Sequence, residues 1–189
     1  CVLSEPLDVS KFGLLFAGAQ KNLAPAGVTL VIVREDLIPE SENCLPGTPT
    51  MLAYKTHADN GSMYNTPPCY TIYVLGKVLH WIEKNGGAEG MAKRNKEKAD
   101  YLYNFLDSNE GNFYHATAEK GSRSLMNVPF VTGNEELDKK FIEEAKKVGL
   151  LQLKGHRTVG GMRASLYNAM PIEGVEALVK FMEKFEKEY

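Results

Sequence analysis

Apolar positions change period several times along the chain, and each change marks a different kind of element. Leu14-Leu15-Phe16-Ala17 is a short continuous apolar run, and Val28-Thr-Leu-Val-Ile-Val33 is a second. Runs of that length without alternation read as strands buried on both faces. The stretch 35–53 carries Pro39, Pro46, Gly47 and Pro49 and reads as an irregular surface excursion. Over 67–85 the spacing turns helical, with Ile72, Leu75, Leu79 and Ile82 on one side and Gly86-Gly87 as the stop. A second helix, polar on most of its surface, is expected over 88–106. Strands follow at 113–117 and 125–132, separated by Gly121-Ser122, and then a helix with Leu137, Phe141, Ala145 and Val148 on one face. Two further strands, 150–154 and 162–167, flank a glycine-containing turn. A last amphipathic helix uses Val175, Leu178, Val179, Met182 and Phe185. The second half therefore reads β-β-α-β-β-α. The domain boundary is placed near residue 90, with 1–90 as part of an α/β domain and 91–189 as a compact α+β one.

Composition narrows the classes. With 189 residues, 43% hydrophobic and 24% charged, the chain can bury one sizeable core or two small ones. A net charge of -2, with acids and bases mixed, argues against nucleic acid or an anionic membrane as the main partner. Any phosphate site must then be a local arrangement. Cys1, Cys44 and Cys69 are odd in number and lack a histidine cluster, so neither a disulfide framework nor a zinc site is expected, and a reducing, cytoplasmic setting is. No apolar stretch approaches a membrane span. The chain opens at Cys1 inside an apolar segment and without methionine, which reads as part of a longer polypeptide.

Three places carry groups suited to chemistry. Lys21 follows the first apolar run inside a small-residue turn, Ala17-Gly-Ala-Gln-Lys-Asn22. An amine beside buried strands can lose charge by desolvation and attack an aldehyde, whereas the plain alternative is a solvated strand end. Asn65 and Thr66, in Tyr64-Asn-Thr-Pro-Pro68, stand just before a helix start, where they either cap the helix or hold a phosphate. His156, Arg157 and Arg163 lie within Gly155-His-Arg-Thr-Val-Gly-Gly-Met-Arg-Ala-Ser165, either as donors to carboxylates or phosphates or as an ordinary solvated loop. Alternation puts Arg163 and Ser165 on one face of the final strand. His57, His80 and His115 are isolated and read as structural. The charge runs 93–98 and 143–147 read as solvated helix faces.

Taken in order, Ala17-Gly-Ala-Gln-Lys-Asn22, Tyr64-Asn-Thr-Pro-Pro68 and 155–169 resemble the phosphoserine aminotransferase family, class V enzymes of the fold-type I group that use pyridoxal phosphate. The resemblance implies the C-terminal part of a large α/β domain, sheet strands plus helices, followed by a small α+β domain. It implies that Lys21 holds the cofactor aldehyde covalently and moves a proton between substrate Cα and cofactor C4′. Gln20 would contact the cofactor phosphate. Asn65 and Thr66 would reach the same group in the neighbouring subunit of a homodimer. Arg163 would pair with the substrate α-carboxylate, and His156 with Arg157 would hold the substrate phosphate. The implied reaction passes an amino group from L-glutamate to 3-phosphohydroxypyruvate in serine biosynthesis, giving 2-oxoglutarate and O-phospho-L-serine. The resemblance also implies an N-terminal half carrying the aspartate that pairs with the pyridine nitrogen and the aromatic residue that stacks on the ring. Neither falls within the chain, which is expected to be inefficient alone and to expose apolar surface between residues 2 and 33. Other readings are another class V enzyme, such as a cysteine desulfurase, or a non-catalytic α+β binding or dimerisation module formed by 91–189. The His156-Arg157 pair favours a phosphorylated substrate.

Overall fold

A computed structural model describes residues 2–38, 45–108 and 113–189; Cys1, Pro39 and Cys44 lie outside the described residues. The chain forms two compact units. One contains Val2 and Pro6–Asn85, and the other Leu3–Glu5 and Gly86–Tyr189. The division comes at Asn85/Gly86 rather than near residue 90, because Gly86 takes a left-handed φ of 89° that ends one helix before the next begins.

In the first unit, β1 (Leu14–Gly18) pairs antiparallel with β2 (Thr29–Val33), from Leu14 opposite Val33 to Gly18 opposite Thr29. The strands expected to be buried on both faces are not. Phe16 is 75% exposed, and Val31 and Ile32 are also open, because this sheet has two strands among the described residues. The 35–53 excursion contains single 3-10 turns at Glu35–Leu37 and Thr50–Leu52. Next come a short helix α1 (Tyr54–Asp59) and the longer α2 (Cys69–Lys84). Of the predicted apolar stripe on α2, Ile82 is buried, whereas Ile72 and Leu79 are exposed. Cys69, its first residue, is a free thiol.

The second unit comprises α3 (Gly87–Ser108), β3 (His115–Ala116), β4 (Asn127–Val131), α4 (Glu135–Lys147), β5 (Met162–Ser165) and α5 (Ile172–Glu188). The three strands form an antiparallel sheet in the order β3-β4-β5. Alternation sends Val128, Phe130, Met162 and Ala164 into one core with the buried faces of the three helices. All five apolar residues predicted on α5 are buried. Phe141 of α4 meets Tyr114, Phe130, Phe181 and Phe185 edge-on, with ring centroids 5.0 to 5.9 Å away, the geometry that aromatic quadrupoles favour. Asn134 caps α4 by accepting from Glu136 N, and three acids in the first turn oppose two lysines in the last. Val148 falls just past this helix and is exposed.

The expected strand at 150–154 does not form. Gly149 and Gln152 adopt left-handed φ of 87° and 62°, which leaves one isolated bridge, Lys154 to Met162, and one bond, Arg163 N to Leu153 O at 2.7 Å. The sheet therefore has three strands, and the predicted strand at 113–117 shrinks to His115–Ala116.

The largest departure concerns the run 93–98, which was expected to be solvated. Asn95 and Lys98 are completely buried. Lys98 Nζ donates to the carbonyls of Leu166 and Tyr167 at 3.0 and 2.7 Å. Asn95 Nδ2 donates to Asn168 Oδ1 at 2.8 Å and to Ser4 O at 3.0 Å, and Asn168 Nδ2 donates to Leu3 O at 2.9 Å. The spacing Met91, Asn95, Lys98, Leu102 follows the helical repeat that faces the core, so position outweighs polarity. The buried amine is held by carbonyls, and no carboxylate pairs with it among the described residues.

Burial, with the like charge of Arg94 adding to it, lowers the Lys98 pKa to about 8. The unfolded chain keeps that proton to higher pH, so stability rises as pH climbs from about 8 towards 10. Above about pH 10 the sign reverses, since burial raises the hydroxyl pKa of both Tyr103 and Tyr114. Urea midpoints should therefore report a gain of ~2 kcal/mol between pH 8 and 10 that Lys98→Met lacks. A native profile that is flat across this window would contradict the assignment.

Candidate active site

Lys21 sits at the exit of β1 on a turn tied at several points. Ala19 N donates to Val28 O at 2.9 Å, and the Ala19 carbonyl accepts from Leu23 N at 3.2 Å and Ala24 N at 2.8 Å. Gln20 forms a bridge with Ala24. Ala19, Leu23 and Ala24 are buried and form the floor, while Gln20 and Lys21 face outwards. Lys21 has φ of 81°, a left-handed conformation that costs a residue with a Cβ roughly 1 kcal/mol or more. The surrounding bonds impose it. Asn22 adds a further restraint by donating from Nδ2 to Val2 O at 2.9 Å. The consequence is an exposed primary amine on a small-residue platform whose backbone is over-determined.

The start of α2 lies beside the same loop. A Cβ built on Gly27, whose φ is 120°, would stand 3.9 Å from Oγ1 of Thr71 in the first turn of α2. Pro68 occupies the N-cap position, and no side chain caps the helix. Asn65 donates instead to Met51 Sδ at 3.0 Å, and both Asn65 and Thr66 are exposed. The capping role weighed for this pair is thus not the one adopted. First-turn N–H groups lacking a side-chain acceptor, with an amide and a hydroxyl just before them, make a donor set suited to an anion.

The second unit presents the remaining candidates. Gly155 N donates to Gly161 O at 2.8 Å, and His156 O accepts from Val159 N at 2.9 Å and Gly160 N at 2.8 Å, which closes a compact turn. A Cβ on Gly155 would collide with the Gly160 carbonyl, so glycine alone permits this approach. His156 Nδ1 lies 2.7 Å from Thr158 Oγ1, and Arg157 is exposed at the turn. Arg163 lies opposite Pro129 of β4, on the face away from the aromatic core. Its Nε is buried and has no hydrogen-bond partner among the described residues. A guanidinium so placed has donors left for a planar anion.

The structure therefore brings Gln20 and Lys21 onto one turn and sets the α2 start, preceded by Asn65 and Thr66, beside the loop that follows. His156, Arg157 and Arg163 belong to the other unit. Sequence reasoning missed Asn22, Asn95, Lys98 and Asn168. The core-facing spacing of α3 was the available signal for two of them. Among the described residues, no group of histidines, cysteines and acids could hold a metal ion, and no helix is long and apolar enough to cross a membrane.

Comparison with known proteins shows the family of the chain. The family described as aminotransferase class-V matches residues 1–178. The phosphoserine aminotransferase of Laribacter hongkongensis is 59% identical over 187 residues, which cover 99% of this chain and 51% of that protein. The phosphoserine aminotransferase structure from Bacillus circulans subsp. alkalophilus superposes with a TM-score of 0.93 at 50% identity, covering 99% of this chain and 51% of that one. A PLP-bound phosphoserine aminotransferase from Trichomonas vaginalis gives 0.87 at 40% identity, covering 95% and 50%. The chain thus spans about half the length of the relatives it matches and aligns with their C-terminal half. It belongs to the class-V aminotransferase family.

Proposed function

We propose that the full-length protein containing this chain is a phosphoserine aminotransferase, which uses pyridoxal phosphate to pass an amino group from L-glutamate to 3-phosphohydroxypyruvate. The observation that carries this reading is Lys21, an exposed amine fixed on a left-handed turn at the strand exit. The high identity to phosphoserine aminotransferases across the whole chain supports it. The residues present fit the cofactor: an accessible amine for an aldehyde, amide and hydroxyl donors for a phosphate, and free guanidinium donors for a carboxylate. When bound, pyridoxal phosphate supplies the aldehyde and the electron-withdrawing ring.

The side chains then divide the work. Lys21 Nζ would hold the cofactor aldehyde and would carry a proton to and from substrate Cα. Gln20 donates to the cofactor phosphate. Asn65 and Thr66 donate to the same group across a homodimer, a reading in keeping with the exposed Tyr70, Ile72 and Tyr73 on α2. Arg163 takes the α-carboxylate through its unpaired donors. His156 and Arg157 face the second anionic group, a carboxylate on L-glutamate and a phosphate on the keto acid. A cytoplasmic setting and a place in serine biosynthesis complete the proposal. Because the chain spans about half of its relatives, this activity is assigned to the full-length protein.

Two measurements test the assignment. Full-length protein mixed with pyridoxal phosphate should develop a visible absorbance band, and Lys21→Ala should lack it while still folding. The band surviving in Lys21→Ala would assign the amine elsewhere. Arg157→Ala should raise KM for 3-phosphohydroxypyruvate by about tenfold and leave KM for L-glutamate less affected, since a phosphate depends more on a guanidinium. Equal changes for both substrates would remove the phosphate role.

A further inference from the structure

The guanidinium of Arg163 has no hydrogen bond fixing its Nε, so its position follows from the backbone of β5. That strand is four residues long, and β4 is its one full neighbour. On its other side it has the Arg163 N to Leu153 O bond and the single bridge from Lys154 to Met162. Immediately after Ser165 the chain leaves the sheet, with a last bond from Leu166 N to Met126 O at 2.7 Å. The carbonyls of Leu166 and Tyr167 then have no strand to accept from. Lys98 Nζ donates to both, Tyr167 O also accepts from Met170 N at 2.9 Å, and Asn95, on the same face of α3, donates to the side chain of Asn168. Three consecutive residues beyond the strand are thus held by one helix.

We propose that Lys98 is a positioning residue, which fixes the exit of β5 and thereby sets where Arg163 meets the substrate carboxylate. The inference rests on the reading of Arg163 as the α-carboxylate ligand. An apolar residue at 98 would fill the same volume but leave the buried Leu166 carbonyl unpaired and Tyr167 O with only its bond from Met170 N, and the strand end would shift to find water or another donor. A shift of about 1 Å is enough to spoil a bidentate guanidinium–carboxylate pair, whose geometry is planar and directional.

The test is steady-state kinetics of the full-length holoenzyme with L-glutamate, alongside urea denaturation. Lys98→Met should raise KM for L-glutamate by about tenfold with kcat changed less than about twofold, and Lys98→Arg, which restores donors, should recover part of the loss. Arg163→Gln is the control. If it raises KM while folded Lys98→Met lowers stability alone, the positioning role is overturned and the carboxylate reading stands. If Arg163→Gln leaves KM unchanged, both fall. Should Lys98→Met not fold, Asn168→Ala, which cuts the adjacent tie and keeps the ammonium, should raise KM in the same direction; an unchanged KM in that variant also overturns the proposal.

Discussion

The second unit depends on a buried ammonium that has carbonyls for company. Lys98 is fully enclosed, and its donors go to Leu166 and Tyr167. Removing a charge from water is costly, and two good hydrogen bonds offset only part of that cost, which is why the amine titrates low. What the arrangement gains is definition. Without Lys98 the buried Leu166 carbonyl would be unpaired and Tyr167 O would keep only its bond from Met170 N, and an unpaired buried carbonyl costs more than the net worth of the bond it lacks. Asn95 and Asn168 extend the same hold to Leu3 and Ser4, so helix, strand exit and the start of the chain are fixed by one polar cluster.

Around that cluster the two units differ in how well their own residues bury their apolar surface. The three-stranded sheet of the second unit has one face covered by α3, α4 and α5, with Phe141 at the centre of an aromatic group. The first unit leaves Phe16, Val31 and Ile32 open on a two-stranded pair. Two strands are marginal by themselves, and an apolar pair of this kind calls for further layers. Relatives about twice as long have sequence beyond the matched region, which is where such layers would be found.

The legible parts of the fold were those where pattern and burial agree. Val175, Leu178, Val179, Met182 and Phe185 recur at helical spacing and are all buried. The misreadings share one physical cause, that local pattern is blind to context. Leu14 to Ala17 reads as a doubly buried strand, yet burial depends on neighbours that periodicity does not reveal. Residues 150–154 are apolar enough for a strand, but left-handed Gly149 and Gln152 break the extension. Lys98 sits in a charged run, and only the phase of the helix betrays that it points inwards.

The site was legible in a different way. Composition and spacing left two readings open at each place: Lys21 as a nucleophile or a strand-end lysine, Asn65 and Thr66 as phosphate donors or caps, and 155–165 as anion donors or a solvated loop; the ordered resemblance of three motifs favours the first of each. The structure adds what neither route contains, the departure of each group from its bland role. A solvated strand end has no reason to hold a left-handed φ, but Lys21 does, braced by Ala19, Asn22 and Ala24. A cap would bond the first turn of α2, but Asn65 turns to Met51. An idle surface arginine keeps its donors in water, but Arg163 buries Nε without a partner. The left-handed φ of Lys21 and the buried, unpartnered Nε of Arg163 each cost local free energy. Costs of this kind persist where the surroundings over-determine them, and their coincidence with the three motifs is the physical reason to read these positions as a site.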